Sequence, residues 1–193
     1  MFKFQLFDSA FPIGSFNYSS AVEEAYARGI NVIEFIKAVY KNVIIRGDLV
    51  MAKLAFTNPE QADKILYASK VTKELREMSV NMGRSIVYLN LCEEKFFEKV
   101  KKGESPGTYP VVMARLCKCL KIDEKDCLEG IAYSELSQMV FSAIRLGAID
   151  FIQGQKLMLE LSYEEESEFA PFNPLQDILS KLHENREPKV FMS

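Results

Sequence analysis

Helix start and stop signals recur along this chain at intervals of about one helix length. No segment between them sustains the two-residue alternation of a half-buried strand. That punctuation points to an all-α fold. Asn58-Pro59 and Asn173-Pro174 each put a side-chain acceptor at a helix cap and a proline at the first helical position, where the missing amide costs nothing. Ser20 with Glu23 has the form of a capping box, followed by Gly29 as a stop. Asn31 with Glu34 opens the next helix, whose Ile36, Val39, Tyr40, Val43 and Ile44 recur at three and four, with an end expected near Gly47. Further helices are expected after Asn58, over 80–97, from Pro110 through Leu120, from Asp123 toward Gly147, onward to Leu161, and from Pro174 to about Glu184. Between them, 101–110 (K-K-G-E-S-P-G-T-Y-P) reads as the clearest loop and as a mobile surface segment. The acidic run at 164–168 reads as a solvated loop or helix end.

With 193 residues, 48% hydrophobic and 26% charged, the chain has material for one substantial core, and 1–193 is read as a single domain, with 186–193 as a docking tail. A net charge of −3 gives no electrostatic footprint for a nucleic-acid backbone. The first residues lack a secretory pattern, and no run approaches the roughly 20 apolar residues that span a bilayer, so a cytoplasmic protein is expected. The four cysteines, Cys92, Cys117, Cys119 and Cys127, fall among helical apolar positions and read as buried structural thiols.

Reactive chemistry is sparse. His183 is the only histidine, which rules out a His-x-x-x-His metal pair, and its place near a helix end reads as a surface position. Cys117 and Cys119 are two apart, so on a helix their sulfurs point away from one another and cannot share an ion. There is no phosphate-binding glycine loop, no nucleophile elbow and no carboxylate pair that spacing would nominate for acid–base work. No catalytic residue and no metal ligand is assigned, and a binding protein is the expected class.

Residues 7–18 read F-D-S-A-F-P-I-G-S-F-N-Y, helix breakers set among aromatics. The stretch D-S-A-F-P-I-G-S-F resembles the N-terminal signature of the UreF-type urease accessory proteins. The likeness continues in order through M-G-R-S at 82–85, T-Y-P-V at 108–111, S-A-I-R-L at 142–146, G-Q at 154–155 and the terminal K-V-F-M-S. Against the family pattern, Tyr18 stands where histidine is common, Ser20 and Ala21 replace a glycine pair, Thr108 replaces a histidine and Gln153 an aspartate. The resemblance implies an all-α protein that is not an enzyme. It implies a homodimeric scaffold assembling with a UreD- or UreH-type accessory protein and a UreG-type GTPase on apo-urease. Nickel would be handled by the complex, with no cofactor held stably by this chain.

The residues expected to meet partners come from these motifs. In the bend, Pro12 and Gly14 make the turn and Ser15 caps the helical turn after it; Phe11 and Phe16 either plug the core, or Phe7, Phe16 and Tyr18 are presented to a partner. Phe11 is expected inside. Arg84 and Arg145 are read either as internal anchors on carbonyls or carboxylates, or as parts of an interface. Gly154 and Gln155 either permit close helix packing or lie at an interface, and Tyr109 is carried over with its motif. In the tail, Lys189, Phe191 and Met192 combine a cation with apolar bulk, suited to a groove or an acidic surface; folding back on its own domain is the bland alternative. The runner-up function is a helical enzyme or small-ligand-binding protein whose site is built from distant polar residues.

Overall fold

Both Asn-Pro pairs start helices: Asn58 Oδ1 accepts from Gln61 N at 3.4 Å and Asn173 Oδ1 from Gln176 N at 3.2 Å. The computed structural model describes residues 2–193, and among them there is no strand. In chain order the helices are α1 (Phe2–Leu6), α2 (Val22–Ala27), α3 (Val32–Val39), α4 (Leu49–Ala55), α5 (Pro59–Ser69), α6 (Lys73–Tyr88), α7 (Lys95–Lys101), α8 (Tyr109–Cys119), α9 (Glu124–Arg145), α10 (Phe151–Glu160) and α11 (Pro174–His183). The bundle is organised round α9, the longest helix, against which α1, α2, α3, α4, α8 and α10 pack. Its neighbour α8 is apolar on nearly every side, with Val111, Val112, Met113, Ala114 and Leu116 fully buried between α4, α6 and α9.

Local signals are overruled in several places. Gly47 does not stop a helix. From Tyr40 to Asp48 the chain winds as a π-helix that joins α3 to α4 without a break. The wider winding accompanies a strap at 162–173 laid along it, where Ala170 N donates to the Arg46 carbonyl at 3.0 Å and Phe172 N to the Asn42 carbonyl at 3.0 Å. Gly47 is needed for a different reason: a Cβ there would sit 2.8 Å from the Pro171 side chain. The expected helix over 80–97 is two helices, parted at Asn90, which takes a φ of +51°. Ser20 and Glu23 form no capping box; Ala21 is the cap residue of α2, and Glu23 N bonds the Ser19 hydroxyl at 3.3 Å.

The expected mobile loop is the largest correction. Asp63 of α5, with no solvent exposure, accepts from Ser105 Oγ (2.7 Å), Gly107 N (2.8 Å), Thr108 N (2.7 Å) and Thr108 Oγ1 (2.6 Å). One carboxylate thus satisfies the donors of a turn that would otherwise carry bare buried polar groups. Gly83 completes the fit, since a Cβ at that position would lie 2.1 Å from the Gly107 carbonyl oxygen. The M-G-R-S and T-Y-P-V stretches are therefore one packing contact.

The cysteines stand in two pairs. Cys92 pairs with Cys119 and Cys117 with Cys127, across Cα separations of 6.5 and 6.1 Å. The two sulfurs of Cys117-Lys118-Cys119 do face apart, and for that reason each finds a different partner. The acidic run at 164–168 lies outside any helix, with Lys53 paired to Glu165.

Candidate partner-binding surface

The bend at 8–18 is held by short-range bonds: Asp8 Oδ1 accepts from Ala10 N at 2.7 Å, and Gly14 takes a φ of +77° ahead of a single 3-10 turn at Ser15–Asn17. This geometry divides the aromatics differently from the sequence expectation. Phe7, Phe11 and Tyr18 are buried, Phe7 so tightly that a Cβ on Gly130 would fall 2.2 Å from its ring. Phe16 is the one turned out, 60% exposed, with Pro12 and Gly14 also at the surface and Ser15 half-buried. Neither Phe7 nor Tyr18 can therefore be an exposed anchor, and Phe16 is not a core plug.

Arg145, near the end of α9, meets this turn. Its Nη2 donates to the Phe16 carbonyl at 2.7 Å, and its guanidinium lies 3.5 Å from the centroid of the Phe16 ring and 4.4 Å from that of Phe191. The planar cation lies over two aromatic rings, each contact stabilising by about 0.5–2 kcal/mol, depending on solvation. Partial burial draws its pKa down, but a guanidinium stays charged in proteins. Arg145 is thus both the carbonyl anchor expected of it and a surface group.

Phe191 arrives from the tail, which folds back on its own chain. Met192 N donates to the Asn17 carbonyl at 2.8 Å and Ser19 N to the Ser193 carbonyl at 3.0 Å. Below these, the buried Glu23 carboxylate accepts from Val190 N (2.9 Å) and Phe191 N (2.9 Å). His183, expected at the surface, is completely buried beside it: Nε2 is 3.1 Å from Glu23 Oε2 and Nδ1 is 2.7 Å from Glu74 Oε2. Lys189 Nζ closes the group at 2.8 Å from Glu74 Oε1, and Arg186 Nε lies 3.3 Å from Glu23 Oε1. Burial pushes the Glu23 carboxyl up, but the amides of Val190 and Phe191 and the His183 ring outweigh it and hold the group below its ordinary value. The groove and the acidic partner expected for the tail are thus its own Glu23 and Glu74. Phe191 is inside; Val190 (71%) and Met192 (59%) face out.

The remaining candidates scatter. Arg84 is exposed and its Nε donates to the Pro106 carbonyl at 3.3 Å, securing the Asp63-bound turn. Gly154 lets α10 lie on α9, since a Cβ would come 2.7 Å from Ile144 Cδ1, while Gln155 is exposed on the outer side of α10. Tyr109 reaches no surface; it is 1% exposed and lines an internal chamber. Sequence reasoning missed Glu23, Glu74 and Asp63, for each of which the only local sign was a carboxylate on a helix. Among the described residues no group of three or more His, Cys, Asp or Glu is placed to hold a metal ion, and no helix is long and apolar enough to cross a membrane.

Three of the UreF-like stretches, the bend, the S-A-I-R-L segment that carries Arg145 and the tail, converge on one surface. The UreF family model matches residues 30–162, the greater part of the chain. The chain belongs to the UreF family. Urease accessory protein UreF 1 of Brucella melitensis is 28% identical over 218 residues, covering 98% of this chain and 90% of the relative. UreF 2 of Brucella abortus (strain 2308) is 27% identical with the same coverage. The UreF of Yersinia pseudotuberculosis serotype I is 23% identical over 216 residues, covering 97% of this chain and 95% of its own length. The likeness to these UreF proteins therefore extends over nearly the full chain, beyond the residues that the family model matches.

Proposed function

We propose that this chain is a non-enzymatic scaffold for urease maturation in the cytoplasm. It binds a UreD- or UreH-type accessory protein and a UreG-type GTPase, as a homodimer, and so helps deliver nickel to apo-urease while its partners carry the metal. The observation that supports this reading best is the Phe16–Arg145–Phe191 stack with Met192 and Val190 beside it. A cation and apolar groups are held rigid at the surface by bonds buried beneath them, which lowers the ordering cost of docking. In a reducing cytoplasm the two cysteine pairs would stand as adjacent thiols rather than cross-links.

The test is reconstitution of the purified chain with the two accessory proteins, apo-urease and nickel. Phe16→Ala with Arg145→Ala should cut assembly at least tenfold while leaving the helical circular-dichroism signal intact. Full assembly and full urease activation by that variant would refute the surface assignment. The ligand-binding alternative has one observation in its favour, the internal chamber lined by Tyr109.

A further inference from the structure

The chamber lies where α5, α6, α8, α9, the π-helix and the start of α11 come together, and its volume is about 70 Å³, more than one water requires. Its wall carries Asp48, Glu135 and Asp177 against one ammonium, Lys70. Lys70 Nζ is 2.8 Å from Asp48 Oδ1, and Glu135, more deeply buried than Asp177, makes no ion pair of its own among the described residues. Three polar atoms of this wall have no partner among the described residues: Tyr109 Oη, Glu135 Oε2 and Asn173 Nδ2. Buried polar groups are nearly always paired, and three orphans facing one cavity indicate something that fills it. Tyr109 is the most telling, being almost completely buried on a rigid helix start with its hydroxyl unspent. Burial raises its pKa and nearby Ser134 opposes the rise, yet no hydrogen bond of normal geometry joins the two.

The occupant has to balance the unpaired carboxylate, accept lone pairs from a phenol oxygen and carry an acceptor for the Asn173 amide. A cation with one or two of its own waters does all three. A divalent ion is disfavoured, because no three acidic or sulfur or imidazole ligands converge there and Lys70 stands in the same wall. A singly charged ion tolerates neutral oxygens and a neighbouring ammonium better, since its repulsion is half as large.

We propose that the chamber binds a partly hydrated monovalent cation of potassium or ammonium size, held by Glu135 and Tyr109. The ion relieves an electrostatic conflict. Without it, burial pushes the Glu135 carboxyl well above its ordinary value, with Asp48 adding to the rise and Lys70 opposing it. The strap residues Pro171 and Phe172 line the chamber beside the π-helix.

The experiment is thermal melting of the full chain in potassium chloride, in ammonium chloride and in tetramethylammonium chloride at equal ionic strength, the last cation carrying its charge behind methyl groups that keep oxygen ligands at a distance. One or both small ions should raise Tm by roughly 3 °C over tetramethylammonium, and which of them does so identifies the ion. Glu135→Gln should abolish the difference and Tyr109→Phe should reduce it. Equal melting in all three salts, or an equal shift in Glu135→Gln, overturns the proposal and leaves the chamber to water. Should Glu135→Gln not fold, rubidium anomalous diffraction from crystals of the unaltered chain decides. A peak between Glu135 and Tyr109 supports the site and its absence refutes it. The isolated chain is sufficient, so failure here leaves the scaffold reading untouched.

Discussion

Replacing Phe191 with alanine separates a tail that is seated on its own chain from one that merely lies nearby. The ring is 4% exposed and one face covers the Arg145 guanidinium at 4.4 Å. Truncating a buried phenylalanine costs about 3–5 kcal/mol in a core, and the lower end suits a terminal segment, whose seat can partly collapse. The lost cation–aromatic contact adds about 0.5–1 kcal/mol at a half-exposed site. A weakening of roughly 3.5–4 kcal/mol corresponds to about a 400–900-fold change in the open population. Because a tail can open without global unfolding, the assay is amide hydrogen exchange at Ser19, position 191 and Met192, whose N–H groups close the seat. In Phe191→Ala these amides should exchange roughly several hundred-fold faster, or reach the unprotected rate, while α8 amides change little. Met192→Ala, altering a side chain that is 59% exposed, should leave them nearly unchanged. Equal exchange in the two variants would refute the reasoning, because the buried ring would then contribute no more than the exposed thioether.

The same seat is sensitive to acid. The Glu23 carboxyl is held below its ordinary value of 4.5, so its contribution is fully present above that pH and is lost as pH falls through the lower folded-state value. Protection of the Val190 and Phe191 amides should therefore drop below pH 4.5 in the natural chain and vary less with pH in Glu23→Gln. Asp63→Asn removes a charge and an acceptor from four donors; a loss of about 2–4 kcal/mol is expected, seen as a urea midpoint lower by about 1 M. Gly83→Ala drives a methyl into the Gly107 carbonyl and should cost at least about 2 kcal/mol in the same assay, an unchanged midpoint refuting the close crossing. Arg145→Lys keeps the charge but not the planar stack, and should recover less than half of the partner affinity lost in Arg145→Ala, measured by surface-immobilised binding.

Legible in the sequence is whatever depends on neighbours three or four residues apart. Asn58 and Asn173 cap the helices that their Asn-Pro pairs announce, and the stripe from Ile36 to Ile44 lies inward. Illegible is whatever depends on distant pairing. Nothing around 101–110 announces that Asp63, more than forty residues earlier, will gather its amides, so a Gly-Pro-rich turn reads as mobile. His183 sits near a helix end and by that measure belongs outside; it is drawn in because Glu23 and Glu74 occupy helices that meet α11. The bend stands out by its motif, but which aromatic turns outward depends on Gly130 accepting Phe7 and on Arg145 receiving Phe16, contacts with no local trace. Tyr109 is nominated by its motif for a surface it never reaches.

The π-winding at 40–48 ties chain length there to the seating of the strap. An α-helix turns more per residue than a π-helix, so removing one residue there would be taken up largely by tightening the winding rather than by turning α4. What would be lost is the pair of carbonyls, those of Asn42 and Arg46, that receive the strap, because they would close into the helix. A single-codon deletion in this stretch would therefore be felt at the strap, whereas the same change at the tip of the acidic run at 164–168 would be absorbed where it occurs.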